Sequence, residues 1–332
     1  MATSGRNARR LDEEDVRVRP GRGSRPRTRR RPQHEDATEC FVMTVDRGRY
    51  TLRVDDHDAL AMRARELGRR SVVVGDRVDV VGDLSGAPGT LARIVRVRER
   101  VSVLRRTADD DDPVERVIVA NADQLVIVTA LADPPPRPRL IDRCLVAAYD
   151  ADVDPLLCLT KSDLAPPDEL VAAYRPLGVP TVVTHRGGPL DELRERLSGR
   201  ISVLVGHSGV GKSTLVNALI PDADRAIGGV NVVTGRGRHT SSSAVALELA
   251  EDEAWIVDTP GVRSFGLAHV SPDTVLAAFP DLAAGAVHCP PGDDHLGAEC
   301  TLDAWVAAGH ADPARLESLR RLLRSRTRAS GD

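Results

Sequence analysis

The sequence predicts a multidomain α/β protein with an N-terminal β-barrel, a doubly wound and mostly parallel sheet, and a helical C-terminal domain. Short alternating strands at residues 40–45, 50–54, 71–74, 77–81 and 91–97 are separated by glycine turns. Beyond residue 115, continuous Val/Ile/Leu strands alternate with helical segments, which is typical of a parallel sheet covered on both faces. After residue 266 the chain carries cysteines and histidines, and from about residue 313 it becomes helical.

The N-terminal strands indicate a small barrel, most plausibly an OB-fold, with a Greek-key barrel that lacks nucleic-acid affinity as the alternative. We expect a basic disordered tail over residues 1–37, the barrel over 38–106, the sheet domain over 107–268 and the C-terminal domain over 269–332. The acidic stretch at 109–112, followed by Pro113, is predicted to be a linker. In the second domain we predict strands at 124–129, 155–160, 181–184, 201–205, 244–249 and 255–257, with helices at 140–149, 168–175 and 190–197.

Charge and composition narrow the function classes. The net charge is −3, yet residues 1–31 carry eleven arginines against four acidic residues, and a second arginine cluster lies between residues 315 and 328. Such segments suit phosphate-rich partners, whereas 2% aromatic residues leave few platforms for base stacking. No apolar run is long enough to span a membrane, no secretory signal opens the chain, and five cysteines do not form a disulfide pattern. We therefore expect a cytoplasmic protein.

A phosphate-binding loop follows the predicted strand at 201–205. It fits the pattern G-x4-G-K-[ST] and continues into a helix, so backbone N–H groups and the helix N-terminus can bind phosphates. Lys212 would neutralise the β- and γ-phosphates, and the Ser213 hydroxyl would hold Mg²⁺. The predicted nucleotide contacts are Gly206, His207, Ser208, Gly209, Val210, Gly211, Lys212, Ser213 and Thr214.

A second motif selects the base. Thr160, Lys161, Ser162 and Asp163 fit [NT]-K-x-D at the end of a predicted strand. The carboxylate can accept hydrogen bonds from N1–H and the exocyclic amine of guanine, a donor pair that adenine lacks. The chain contains only two lysines, Lys161 and Lys212, and both fall in these motifs. The sequence therefore predicts binding of GTP and GDP.

A D-x-x-G switch, Asp258-Thr259-Pro260-Gly261, follows the last predicted strand. Asp258 would support Mg²⁺ through water, and the Gly261 amide would contact the γ-phosphate. Thr240, in the flexible basic loop at 235–240, is the candidate for the second Mg²⁺ hydroxyl.

The group that orients the attacking water is less obvious. Many GTPases carry a glutamine directly after D-x-x-G, whereas this chain has Val262, which cannot position water. His239 is the candidate catalytic residue beside Lys212, with Arg236 or Arg238 as candidate charge stabilisers. The alternative is that these basic loop residues contact the phosphates of a partner.

The guanine motif precedes the phosphate loop, so the sheet is complete only if the domain is circularly permuted. In this order the chain resembles the small ribosomal subunit biogenesis GTPases, the RsgA or YjeQ-like family, from about residue 38 to 325. Beyond the motifs above, the resemblance is carried by residues 74–78, 122–124, 141–143 and 237–240. It implies an OB-fold, a permuted P-loop GTPase domain and a zinc-binding C-terminal domain. It also implies GTP hydrolysis that is stimulated by the small (30S) subunit with its 16S rRNA, and a role in late maturation coupled to release. We expect a monomer, and Val262 predicts slow hydrolysis without the subunit.

The resemblance further implies one structural Zn²⁺, held in the family by three cysteines and one histidine. This chain offers Cys289, His295 and Cys300, with Asp293 or Asp294 where the second cysteine is expected. Three possibilities remain from the sequence: Asp293 as fourth ligand, a neighbour such as His288 instead, or a site that has lost its metal.

Two other function classes remain. In an RNA-binding module, GTP would only stabilise one conformation. The intact Mg²⁺ hydroxyls and both switches favour the enzyme over this module, and Val262 predicts that the enzyme is slow alone. A nucleotide kinase is disfavoured by Asp163, and preferential ATP binding would favour it.

Overall fold

The computed structural model describes residues 34–68, 72–107, 115–221, 223, 244–249, 254–259, 265, 267, 269–290, 292–297 and 300–327. Residues 1–33 of the predicted basic tail lie outside the described residues. The predicted linker at 109–113 lies outside them as well.

Five strands form a small closed barrel at the N-terminal end of the described chain. They are β1 (Thr38–Asp46), β2 (Arg49–Val54), β3 (His57–Arg63), β4 (Arg77–Val81) and β5 (Ala92–Val97). Pairing runs β1-β2-β3-β5-β4 and returns from β4 to β1, which closes the barrel. Alternate side chains point inward because successive residues of a strand face opposite sides. The buried interior includes Val42, Tyr50, Leu52, Ala61, Val78, Val80 and Ile94.

The strand predicted at residues 71–74 is wrong within its described part, residues 72–74. Only Val74 forms an isolated bridge, to Val119. The Val73 amide instead donates to the carboxylate of Asp76 at 2.7 Å. Asp76 is fully buried and accepts two hydrogen bonds from Arg100, at 2.7 and 2.9 Å. This buried ion pair organises a turn where the valine run alone favours a strand.

A hairpin that the sequence did not predict follows the barrel. Its strands are β6 (Val103–Thr107) and β7 (Glu115–Ala120), which pair antiparallel. Both strands carry charged residues, so neither has the apolar run or the clean alternation that indicates a strand.

The central sheet contains β8 (Gln124–Ala130), β9 (Asp154–Thr160), β10 (Thr181–Val183), β11 (Ile201–Val205), β12 (Val245–Leu249) and β13 (Ala254–Asp258). Its order is β10-β9-β8-β11-β13-β12, and only β12 runs antiparallel to its neighbour β13. All six strands were predicted. The strand that carries T-K-x-D thus precedes the phosphate-loop strand in the chain, yet both lie in one sheet.

Helices cover both faces of the sheet. They are α1 (Pro138–Asp150), α2 (Asp168–Tyr174) with a 3₁₀ turn at Arg175–Leu177, α3 (Asp191–Leu197) and α4 (Lys212–Leu219). Along β8, Leu125 and Ile127 pack into the core that includes α1, whereas Val126 and Val128 pack into the core that includes α3 and α4. The sheet is therefore doubly wound, as predicted.

The barrel and the sheet share an edge. Thr44 of β1 pairs with Val245 of β12. The ring of Phe41 lies 4.6 Å from that of Trp255, and the Arg53 guanidinium lies 5.6 Å from the Trp255 ring. The barrel therefore packs directly on the edge of the sheet formed by β12 and β13. The D-x-x-G switch begins at the end of β13, and the predicted basic loop at 235–240 precedes β12.

Within the described residues, the C-terminal region contains four helices: α5 (Pro272–Ala277), α6 (Pro280–Ala286), α7 (Leu302–Ala307) and α8 (Pro313–Thr327). The start of α8 agrees with the sequence prediction. Leu316, Leu319, Leu322 and Leu323 bury one face of α8 in the same core as α1. In the part of the chain that the structure describes, no helix has the length and apolar character needed to cross a bilayer.

Candidate functional site

The predicted phosphate loop joins β11 to α4 at the carboxyl edge of the sheet. Gly206 has φ 152°, and a Cβ there would lie 2.3 Å from the Val128 carbonyl oxygen, so only glycine fits. Gly211 caps α4 with φ 96°. Ser213 and Thr214, in the first turn of α4, are exposed to solvent. The loop therefore presents the open helix start that phosphate binding needs.

The T-K-x-D motif meets this loop directly. The Thr160 hydroxyl, which is buried, donates to the Val210 carbonyl at 2.6 Å and lies 3.3 Å from the Thr129 carbonyl. A Cβ on Gly211 would lie 3.8 Å from the same hydroxyl. Two motifs that are 50 positions apart in sequence are thus joined by one short hydrogen bond.

The residues that follow Thr160 are held by two neighbouring loops. The Lys161 ammonium donates to the Asp133 carbonyl, and the Ser162 amide donates to the Thr184 carbonyl at 3.2 Å. Asp163 is exposed, and within the described ranges its carboxylate has no hydrogen-bond or ion-pair partner. A carboxylate held open beside the phosphate loop can accept the two donors of guanine.

Asp258 ends β13 beside the phosphate-loop strand, where it pairs with Leu204. Its Oδ1 atom is buried, and no described residue hydrogen-bonds to it. Burial raises the pKa of Asp258, while the Lys212 ammonium and the Thr259 amide oppose the increase. Lys212 donates to the Gly206 carbonyl at 3.2 Å. A buried carboxylate oxygen without a hydrogen-bond donor can accept from the water of a hydrated cation.

Several predicted site residues lie outside the described residues. These are His239 and Thr240 with the rest of the basic loop at 235–240, and Pro260, Gly261 and Val262 after Asp258.

A second cluster lies in the segment between α6 and α7. Ligand atoms of Cys289, Asp293, His295 and Cys300 all fall within 4.8 Å of one another. The two sulfurs are 3.6 Å apart, and Cys300 Sγ lies 3.6 Å from His295 Nδ1. Tetrahedral zinc with Zn–S bonds of about 2.3 Å separates two sulfurs by about 3.8 Å. The donor set and its spacing therefore fit zinc.

The aspartate of this cluster is Asp293 and not its neighbour. Asp293 Oδ2 lies 3.6 Å from His295 Nδ1 and is buried without a hydrogen-bond donor among the described residues. Asp294 is exposed and accepts from the Leu296 amide at 2.9 Å. His288 is exposed and outside the cluster. Of the three possibilities from the sequence, the geometry favours Asp293 as the fourth ligand.

Some contacts beside the phosphate loop and the T-K-x-D motif could not be predicted from the motifs themselves. The loop at 131–137 provides the carbonyl for Lys161, and Thr184 provides the one for Ser162. Both partners use backbone oxygens, which leave no side-chain signature. The proline run at 134–136 was the only signal that this loop has a defined shape.

The geometry agrees with the comparisons to known proteins. The family model described as RsgA GTPase matches residues 97–268, a little over half of the chain. A protein of Pseudomonas syringae pv. tomato, the small ribosomal subunit biogenesis GTPase RsgA, is 38% identical over 265 residues, covering 77% of this chain and 75% of the relative. The chain belongs to the RsgA GTPase family. The family that the sequence motifs indicated is therefore confirmed.

Other RsgA relatives match over a shorter stretch. The protein of the same name from Pseudomonas aeruginosa strain LESB58 is 42% identical over 218 residues. That alignment covers 63% of this chain and 64% of the relative's length, just under two thirds.

Two solved structures share the fold. YjeQ from Thermotoga maritima aligns with a TM-score of 0.65 at 25% identity, over 87% of this chain and 98% of that protein. YloQ, described as a circularly permuted GTPase, aligns with a TM-score of 0.62 at 21% identity, over 90% of this chain and 97% of that protein. The predicted fold class, a permuted GTPase domain between a barrel and a helical C-terminal region, is confirmed.

Proposed function

We propose that the chain is a GTP hydrolase that binds the small ribosomal subunit and acts in its late maturation. Hydrolysis is stimulated by the subunit and coupled to release. The observation that carries the nucleotide part is the 2.6 Å hydrogen bond from Thr160 to Val210, which unites the guanine motif and the phosphate loop. Membership of the RsgA family supports the ribosomal part.

In this proposal the two ends of GTP bind to different loops. Asp163 accepts from the guanine N1–H and amine, and the Lys161 stem lies along the base. The backbone from Gly206 to Thr214 surrounds the phosphates, and the Lys212 ammonium neutralises their charge. Thr160 holds the base loop against this phosphate loop, and the Ser162 amide holds it to the Thr184 carbonyl.

Ser213, Thr240 and Asp258 would hold Mg²⁺. The fit rests on the buried Oδ1 of Asp258, which lacks a donor among the described residues, and on the exposed Ser213 at the start of α4. When bound, Mg²⁺ neutralises charge that develops on the phosphate oxygens.

Hydrolysis requires a positioned water. The water oxygen attacks the γ-phosphorus, the bond from that phosphorus to the bridging oxygen breaks, and GDP and inorganic phosphate leave. Because Val262 cannot orient water, we assign that role to His239 and expect slow turnover without the subunit. His239→Ala should lose turnover while keeping its affinity for GTP, and unchanged turnover would exclude the role.

One surface of the barrel supports a phosphate-rich partner such as 16S rRNA. On its outer face, Arg49 of β2 pairs with Met62 of β3, and Met62 pairs with Arg93 of β5. Both arginines are exposed, and neither has an acidic partner within the described residues. Two unpaired guanidinium groups beside one exposed methionine can contact a nucleic-acid backbone. We propose that the chain binds the rRNA backbone at this surface. We also propose that it acts as a cytoplasmic monomer.

We further propose one structural Zn²⁺ held by Cys289, Asp293, His295 and Cys300. Thr301 connects this cluster to α6, because its hydroxyl lies 3.1 Å from Cys289 Sγ and donates to the Gly285 carbonyl at 3.2 Å. Zinc would therefore fix the segment between α6 and α7 and stabilise the C-terminal fold.

A nucleotide hydrolysis assay with and without purified small subunits tests the proposal. GTP and ATP are run in parallel, with Lys212→Ala as the inactive control. We expect slow GTP turnover alone, strong stimulation by the subunit and no ATP turnover. GTP binding without stimulated hydrolysis would instead favour an RNA-binding module, and preferential use of ATP would favour a nucleotide kinase.

A further inference from the structure

The phosphate loop contains a tight turn of four residues. The Val210 amide donates to the His207 carbonyl at 3.5 Å and closes the turn, and Gly209 at its third position has φ 84°. A positive φ at that position is typical of a type II turn. The alternative type I turn differs mainly in the central peptide, here between Ser208 and Gly209, which is rotated by about half a turn. The orientation of this peptide therefore decides where its carbonyl and its N–H point.

The sequence predicts His207 as a nucleotide contact, and the structure shows its side chain bound to the loop's own backbone. The Nδ1 atom lies 2.6 Å from the Ser208 carbonyl oxygen. Because a carbonyl oxygen only accepts, Nδ1 carries the proton and donates. The Nε2 atom is buried, and no described residue hydrogen-bonds to it. Within the described part of the chain, the imidazole therefore acts through Nδ1.

The imidazole lies between the phosphate loop and the start of α1. There it lines a small cavity together with Leu140 and Ile141 of α1. The Ser208 carbonyl accepts from the ring and so faces this side of the loop. In a trans peptide the N–H points away from the carbonyl, and Gly209 is exposed to solvent. The Gly209 N–H therefore points to the open side of the loop, where phosphates can reach it.

We propose that His207 is a positioning residue, whose imidazole keeps the N–H of the Ser208–Gly209 peptide available to an oxygen of the bound phosphates. The inference rests on the proposed function in that guanine nucleotides bind at this loop. Without the imidazole the central peptide can rotate, because glycine adopts both signs of φ readily. Nucleotide binding then has to restore the orientation, which weakens the affinity.

Two substitutions separate positioning from a purely structural role. His207→Phe keeps a ring of similar shape but removes the donor. The Kd values for GDP and for the non-hydrolysable analogue GMP-PNP should rise about three- to tenfold, which is what one neutral hydrogen bond contributes. The same change removes the buried Nε2 acceptor that has no partner among the described residues, so the stability of the fold should not decrease.

His207→Asn should show the opposite pattern. Its amide nitrogen lies the same number of bonds from Cβ as Nδ1 and can donate to the same carbonyl, so both Kd values should stay within about twofold of wild type. The smaller side chain leaves space beside α1, so the stability should fall. Both properties are measured on the full chain, by titration of fluorescent nucleotides and by urea unfolding. The matched control is His57→Phe in the barrel, where His57 Nε2 lies 2.7 Å from the Leu84 carbonyl, and it should leave both Kd values unchanged.

The outcomes distinguish this inference from the proposed function. A wild type that binds neither nucleotide would contradict the proposed function. If the wild type binds and His207→Phe has the same Kd values, or if His207→Asn binds as weakly as His207→Phe, the positioning role is wrong. Kd values that follow folding stability in both variants would leave the ring a structural role only and would also overturn it. Should His207→Phe fail to fold, His207→Leu lacks the donor as well, and a wild-type Kd in that variant would be equally contradictory.

Discussion

The hydrogen bond from the Thr160 hydroxyl to the Val210 carbonyl joins the two motifs. Removing it should show most clearly whether they form one site. Thr160→Val has nearly the same shape but leaves the Val210 carbonyl, in a residue only 4% exposed, without its 2.6 Å donor. A buried acceptor that loses its partner costs about 1–3 kcal/mol. Because Val210 lies in the phosphate loop, part of this cost should appear in nucleotide binding, and 1 kcal/mol corresponds to about a fivefold change in Kd.

The assay is titration of a fluorescent GTP analogue, with urea unfolding of the same variants. Thr160→Val should raise the Kd by about fivefold for each 1 kcal/mol of the cost that appears in binding, and Thr160→Ser should restore the wild-type value. The matched control is Thr181→Val, because the Thr181 hydroxyl donates to the Val179 carbonyl at 3.3 Å where β10 begins. Loss of folding stability in Thr160→Val with an unchanged Kd would refute the reasoning, since the bond would then serve the fold alone.

Three further predictions concern carboxylates. Burial raises the pKa of Asp258 although Lys212 opposes this, so ionised Asp258 costs stability above its unfolded pKa of about 3.9. Asp258→Asn should therefore melt higher than wild type at pH 7 without metal, and the gain should vanish near pH 3. Hydrogen bonds from Arg315 lower the pKa of Asp281 in the folded protein. The pair therefore stabilises the fold above about pH 3.9, the pKa of aspartate in the unfolded chain, and this contribution is lost as the pH falls through the lower pKa of the folded state. Asp281→Asn should unfold at lower urea at pH 7 and converge with wild type in acid. A free zinc concentration of about 100 times the Kd stabilises a fold that binds it by about 2.7 kcal/mol. Because Asp293 is the proposed fourth ligand, Asp293→Ala should lose most of the increase in melting temperature that added zinc causes.

Each of these predictions has a contradicting result. An Asp258→Asn variant that is less stable than wild type at pH 7 would show that the carboxylate has a partner in the apo protein. Equal urea midpoints for Asp281→Asn and wild type at pH 7 would show that the pair with Arg315 contributes nothing. Metal analysis that finds no zinc in wild type purified without chelators would remove the metal site, and zinc unaffected by Asp293→Ala would exclude that ligand.

The sequence predicted the central sheet well because its strands are buried on both faces. Continuous apolar runs such as β8, in which all seven residues are buried, carry a strong signal. The phosphate loop and T-K-x-D could be recognised because their chemistry fixes residue types at fixed spacing. Strand β3 was missed because its inward residues are Ala59 and Ala61, which favour strands weakly and bury little area.

Other elements depend on contacts that are distant in sequence. The buried pair of Asp76 with Arg100 replaces a predicted strand by a turn, and no local pattern shows that an arginine 24 residues away will reach it. The contacts of Arg143 with the Phe265 and Ser325 carbonyls are of the same kind, because backbone oxygens leave no side-chain pattern in the sequence. Helix α5 could have been found, since Ser271 caps it through the Thr274 amide and Pro272 starts it.

The most direct test exchanges the base that the site prefers. Asparagine in place of Asp163 offers one donor and one acceptor, which match xanthine, where a carbonyl replaces the guanine amine. With GTP one charge-assisted hydrogen bond of about 1.5–3 kcal/mol is lost, because the asparagine amide then faces the guanine amine as a second donor. Asp163→Asn should therefore bind GTP about 10- to 10²-fold more weakly and gain affinity for XTP. Equal GTP affinity in Asp163→Asn and wild type would show that this carboxylate does not read the base, and that the T-K-x-D loop and the phosphate loop do not form one guanine-nucleotide site.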